Sequence, residues 1–151
     1  MPFRFRLEKV ARYRRQLVDE QSRAVARAGR VVATIEARMA ALDDDIARQR
    51  ARGACGGPDV SVRGMMSRTL WIEHLVGIRE DHARELAMAR LAFDAERAKL
   101  AAAWRDQEIL EKLRAQQKAA WEAEERRREN RDLDEIGQIR ADRQRRSKIA
   151  S

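Results

Sequence analysis

Two histidines and one cysteine, set among 25 carboxylates, are the side chains through which this 151-residue chain could perform chemistry. A zinc site asks for cysteine or histidine pairs at close spacing, and a di-iron bundle asks for Glu-x-x-His on facing helices. Neither His74 nor His82 follows a glutamate by three positions, HExxH is missing, and Cys55 has no second cysteine to work with. No GxxxxGK[ST] loop is present to cradle phosphates. With no acid, base or nucleophile converging on His82, its place in an apolar repeat predicts a packed or partly exposed histidine. The residues point to a binding or structural protein, not an enzyme, with no catalytic residue, no metal and no cofactor.

The elements that must carry these residues follow from composition. Alanine supplies 26 residues, and it favours helix above all others while burying little surface. With 38% charged residues, 5% aromatics and prolines only at Pro2 and Pro58, the chain matches long helices and coiled coils better than a globular core. The start, MPFRFRLEKV, meets charge again at once, unlike a secretory leader. No window approaches the roughly 18 apolar residues of a membrane span. A single cysteine fits a reducing compartment. The expectation is a cytoplasmic protein without membrane insertion.

The fold class expected is all-α: a long two-helix antiparallel coiled-coil hairpin with an extended C-terminal helix. A first helix is predicted over about 3–52, where Leu7, Val10, Leu17, Ala24, Ala28, Val31, Ile35 and Leu42 follow a heptad-like seam with Arg14 and Gln21 as polar intruders. Near its end Ile35, Met39, Leu42 and Ile46 suggest a drift toward an eleven-residue spacing. The stretch GACGGPD opens a turn over 53–60, after which Asp59 or Ser61 can cap a second helix. That helix is predicted over about 62–146, with a fraying end at SKIAS. Met65, Ile72, Leu86, Phe93 and Leu100 recur at seven-residue intervals, and Leu75, His82, Ala89, Ala103 and Leu110 fill the companion positions.

Geometry then singles out the last third. A turn centred near Gly56 would set Phe3 opposite Ile109. At 1.5 Å per residue the first helix spans about 75 Å and the second about 125 Å. Residues 110–146, roughly 50 Å of helix, would therefore overhang. Acid-before-base pairs at Glu122 and Arg126, Glu124 and Arg128, and Asp142 and Arg146 would support them. Trp121, Leu133, Ile136 and Ile139 would be left without an internal partner, which marks a docking surface.

The net charge of +8 raises the question of nucleic acid. From Met1 to Arg30 nine basic residues face Glu8, Asp19 and Glu20, whereas Glu122–Arg146 holds eight of each sign. The excess sits on the first helix beside an acidic stretch of the second. Runs such as Arg126, Arg127 and Arg128 lack interleaved aromatics, so no nucleic-acid partner is expected.

The opening Phe5, Leu7 and Val10, the long first helix with Gln21, the glycine-bearing turn and LEKLRAQQKAAWEAEERRRENRDLDEIGQIR together resemble the flagellar FliJ family over nearly the whole chain. Leu110, Glu111, Leu113, Trp121, Glu129, Leu133, Asp134 and Glu135 carry the closing pattern. The resemblance implies a cytoplasmic component of the type III flagellar export apparatus, peripheral at the inner face of the membrane. It implies a stalk similar to that of rotary ATPases, whose partners are the hexameric export ATPase, the membrane export gate and export chaperones. Ring contacts are expected at Leu110, Leu113, Trp121, Leu133, Asp134, Glu135 and Ile136. Gate contacts are implied just after the turn, at Trp71, His74, Leu75 and Ile78, with His74 where an aromatic is commoner and Gly77 where a large side chain is usual. Leu75 also occupies the seam and is expected in the core, while Trp71 and Ile78 flank it. An injectisome stalk protein, a self-associating coiled coil and a nucleic-acid-binding coiled coil are the alternatives.

Overall fold

The computed structural model describes residues 1–55 and 61–151. Two helices, α1 (Glu8–Ala54) and α2 (Val62–Ile149), lie in contact as an all-α hairpin, with no strand among the described residues. The chain divides into two compact units, Met1–Arg15 with Arg105–Ser151, and Gln16–Trp104. Ser61 caps α2, its hydroxyl accepting from the Gly64 amide at 3.1 Å, as an N-cap serine should. The helix then continues through Ile149, taking in residues expected to fray.

The expected turn over 53–60 needs correction at its start. Gly53 belongs to α1, close enough to α2 that a side-chain carbon there would meet the Arg68 side chain at 3.5 Å. Most of the remaining turn, Asp59 included, falls in 56–60 and lies outside the described residues.

The beginning of α1 is corrected too. Helix was expected from about Phe3, yet Met1–Leu7 form an irregular arm, closed by the Glu8 amide donating to the Phe5 carbonyl at 3.2 Å. The reason is an alternation with period two. Phe3, Phe5 and Leu7 turn inward while Arg4 and Arg6 stay exposed, and Phe5 is buried. Such a pattern suits an extended backbone, whereas a helix would spread the three apolar groups around its circumference.

On α1 the inward line runs Leu7, Ala11, Arg14, Val18, Gln21, Val25 and Ala28, then Val32, Ile35, Met39, Leu42, Ile46 and Gln49, all buried or half-buried. These positions alternate four and three throughout, an unbroken heptad. The expected seam was therefore partly in the wrong column. Val10 and Val31 are 41% and 53% exposed, and Leu17 and Ala24 stand only half-buried beside the true line. Ile35, Met39, Leu42 and Ile46 continue the same heptad, so the expected drift toward eleven residues does not occur. On α2, Ile72, Leu75, His82, Leu86, Ala89, Phe93, Leu100, Ala103 and Leu110 are all buried or half-buried, as their spacing predicts. Met65 is the exception, 49% exposed.

In the unit Gln16–Trp104 the core consists of Val18, Ile35, Ile46, Leu75 and Leu86. Gly29 faces Phe93, where an added carbon would stand 3.3 Å from the ring, so its bare backbone permits the close approach. Glu36 pairs with Arg90 at 2.9 Å, and Asp43 with Arg79. Exposed pairs of this kind contribute little to stability. Their value is in register. They set each α1 residue opposite one roughly three helical turns further along α2 than a turn at Gly56 would give.

A hydrogen-bonded polar layer interrupts this unit's seam at Gln21. The Gln21 side-chain amide donates to the Glu96 carbonyl at 3.0 Å and also to its carboxylate. That bond, with a second from Lys99, holds the Glu96 carboxyl below its ordinary range, because both favour the charged form. A lowered native pKa stabilises the fold near neutrality and is lost as pH falls through that lowered value. In a Gln21→Leu chain the Glu96 titration midpoint, followed by carboxyl NMR, is expected to move upward. An unchanged midpoint would show that Lys99 alone sets it.

Candidate functional site

The unit Met1–Arg15 with Arg105–Ser151 contains the residues expected to meet a ring. Its paired part is built by Phe5 and Ala11, both buried, and by ion pairs from Arg14 to Asp106 at 3.2 Å, Arg15 to Glu111 at 2.9 Å and Arg114 to Glu8 at 3.4 Å. Leu110 and Leu113 are half-buried in this zone. Neither is the start of an overhang.

Trp121 requires the largest correction. It was expected to lack a partner within the chain, but its ring lies 6.1 Å from that of Phe3 at a tilt of 48°. Two causes combine. The later register carries the end of α1 further along α2, and the arm before Glu8 advances at up to about 3.3 Å per residue where helix would advance 1.5 Å. The aromatic pair therefore closes the paired region, and residues 121–125 are all half-buried.

Beyond that point the surroundings change abruptly. Every residue from Arg126 to Ser151 is exposed, while the helix continues to Ile149. The first part of this segment is supported by charge. Glu124 gathers Arg128 at 3.7 Å and Arg131 at 3.2 Å, and Arg128 also reaches Glu125 at 3.2 Å. Of the expected pairs, that between Glu124 and Arg128 forms. Glu122 instead takes Lys118 at 4.0 Å, and Asp142 forms no ion pair among the described residues.

After Arg131 no residue takes part in an ion pair among the described residues. Leu133, Ile136 and Ile139 stand 66%, 47% and 46% exposed. Their three-residue spacing keeps them on adjoining parts of one helix face. Asp134 and Glu135 lie next to that face, exposed and without a basic partner among the described residues. This stretch combines unsatisfied apolar area with free carboxylates, which is chemistry for binding and not for catalysis.

The residues implied for a gate contact lie in the other unit. Trp71 is 50% exposed, with its ring 5.4 Å from that of His74. Ile78 is half-buried beside the seam. Leu75 is buried, as its seam position leads one to expect, so its side chain is core and is not available to a partner.

His82 is half-buried, with its Nδ1 3.2 Å from a Glu85 oxygen. Among the described residues no group of three or more His, Cys, Asp or Glu could hold a metal ion, and no helix is long and apolar enough to cross a membrane.

What sequence reasoning missed is the packing role of Phe3 and Phe5 at the root of this segment. Their signal was the Phe-Arg-Phe-Arg-Leu alternation, which was read as the first turn of a helix. A protein-family model described as Flagellar FliJ protein matches residues 3–146. No curated protein and no solved structure matches the chain.

Proposed function

The chain belongs to the flagellar FliJ family, and from that premise we propose that it acts as a stalk in the export ATPase ring, with Arg126–Ser151 as the inserted segment. Family membership makes it a flagellar export-related protein. The observation that carries the finer reading is the continuation of α2 as exposed helix beyond the Phe3 and Trp121 pair, with Leu133, Ile136 and Ile139 uncovered.

A ring lined by polar loops suits such a segment. It carries charges of both signs, nine basic and five acidic, which polar loops can meet along its length, and the apolar face supplies purchase. Asp134 and Glu135, in no ion pair among the described residues, are placed to meet basic groups of the ring. Leu110, Leu113 and Trp121 act indirectly, by holding the root of the segment straight.

In this reading the hairpin end faces the export gate, where Trp71 and His74 offer an exposed pair of mutually tilted rings and Ile78 a partly exposed neighbour. Escort of export chaperones is a further role for the paired helices. The protein is non-enzymatic and works at the flagellar base, on the cytoplasmic side.

The test is direct. The full chain, mixed with the cognate export ATPase, should promote hexamer formation and raise turnover. A chain ending at Glu125 retains the half-buried residues 121–125 and should do neither. No change with the full chain, or an equal change with the shortened one, would sink the reading.

A further inference from the structure

Along one side of its seam the unit Gln16–Trp104 leaves an open groove of about 590 Å³. The floor is apolar: Ile35 is buried, and beside it Val31 is 53% exposed. Arg27, Arg30 and Arg38 border it on α1, and Glu85 borders it on α2. The heptad extends both walls. Val31 belongs to the column Leu17, Ala24 and Val31 that runs beside the α1 seam, and Glu85 to the column Ile78, Glu85 and Ala92 beside the α2 seam. Residues seven apart share one line of a seam-forming helix, so these two columns border the same side of the hairpin. Met88, 68% exposed, lies one turn from both Glu85 and Ala92 on that face of α2.

Charge decides what the groove accepts. Glu36, the one acid of α1 between Gln21 and Met39, is taken by Arg90 at 2.9 Å. Glu85 already faces His82 at 3.2 Å. Arg27 helps to hold the Glu96 carboxyl below its ordinary range, yet it forms no ion pair among the described residues, and neither does Arg30 or Arg38. An apolar floor is thus bordered by three guanidinium groups in want of anions.

Several occupants fail on these terms. A bilayer surface is too flat to enter a groove between two helices. Nucleic acid would answer the arginines and leave Val31 and Met88 uncovered. A second copy of the chain brings a net charge of +8, and its exposed segment 126–151 holds nine bases against five acids. We infer that the groove receives an amphipathic helix of another protein, apolar along one line and acidic along the flank that meets Arg27, Arg30 and Arg38. Such a helix packs as a third strand of the coiled coil, its apolar line over Val31 and the alanines at 24 and 92. Arginine forks pair with carboxylates in fixed geometry and so select the acidic flank. None of these residues takes part in the ring or gate contacts proposed above, and the groove is tested without either partner.

The probe is a fluorescent synthetic helix of about four heptads, long enough to hold its fold, with leucine along one line, glutamate along one flank and glutamine elsewhere. Its anisotropy is followed as the full chain is added. A matched peptide with lysine in place of glutamate is expected to bind at least about tenfold more weakly. Arg30→Glu with Arg38→Glu should reverse that preference, a gain of binding that misfolding cannot mimic. Arg12→Glu with Arg50→Glu makes the same change in net charge at exposed positions elsewhere on α1 and should bind as the parent does. Val31→Gln leaves every charge in place and should weaken binding of the glutamate peptide about tenfold; it keeps the test decisive if the first double variant fails to fold by circular dichroism. Absence of binding, equal binding of both peptides, or the same loss in both double variants overturns the inference. So does displacement of the peptide by a single-stranded oligonucleotide, which would assign the groove to phosphates. A parent dimer in sedimentation that Val31→Gln converts to monomer would assign it to a second copy, and overturns the inference equally.

Discussion

A Phe5→Ala chain is expected to unfold about 3 kcal/mol more easily than the parent, in the range for removing a buried aromatic. The position looks unpromising for so large an effect, five residues from the start of the sequence and outside any helix. Yet Phe5 is one of only two buried side chains in its unit, the other being the small Ala11. Its loss should release the arm, and with it Phe3 from Trp121. Two measurements check this: chemical unfolding followed by circular dichroism, and amide exchange along residues 110–125. Exchange there should accelerate, while 126–149, already exposed, should be unaffected. A stability change within experimental error would mean that the arm contributes no packing.

The second large effect is functional. Leu133→Glu with Ile136→Glu is expected to leave stability within about 0.5 kcal/mol, because exposed positions away from packing seldom matter more. The same pair should abolish the stimulation of the export ATPase, or reduce it at least about tenfold, by placing charges where the ring would bury apolar surface. The two readouts must separate. Parental stimulation would remove this face from the ring contact, whereas a marked loss of thermal stability would show that the face is packed after all.

The comparison of sequence with structure is instructive at particular residues. The seam of α2 was legible because Ile72, Leu86, Phe93 and Leu100 are large and repeat without competitors. On α1 the true line opens with Ala11, Arg14 and Gln21, weak signals, while Val10 and Leu17 open an apolar column one position away. Over those first turns apolar pattern alone could not choose between them; further on Val25, Val32, Met39 and Ile46 mark the true line, and the rival column ends in Arg38 and Asp45. Register was missed for a different reason: Gly53 reads as a helix breaker, but it lies within α1 and faces the Arg68 side chain. From that error followed the misplacement of Trp121. Leu133 and Ile136 are exposed, as their place beyond the start of α1 leads one to expect.

None of the described side chains is completely enclosed, because two helices can shield only the strip between them. The molecule thus behaves energetically as a zipper, with each heptad adding its own increment and feeling chiefly its neighbours. Damage to one stretch should fray a few turns and stop there. The groove at Val31 and the exposed apolar face near Ile136 are consequently insulated from one another thermodynamically, and evolution can remodel either one without renegotiating the other.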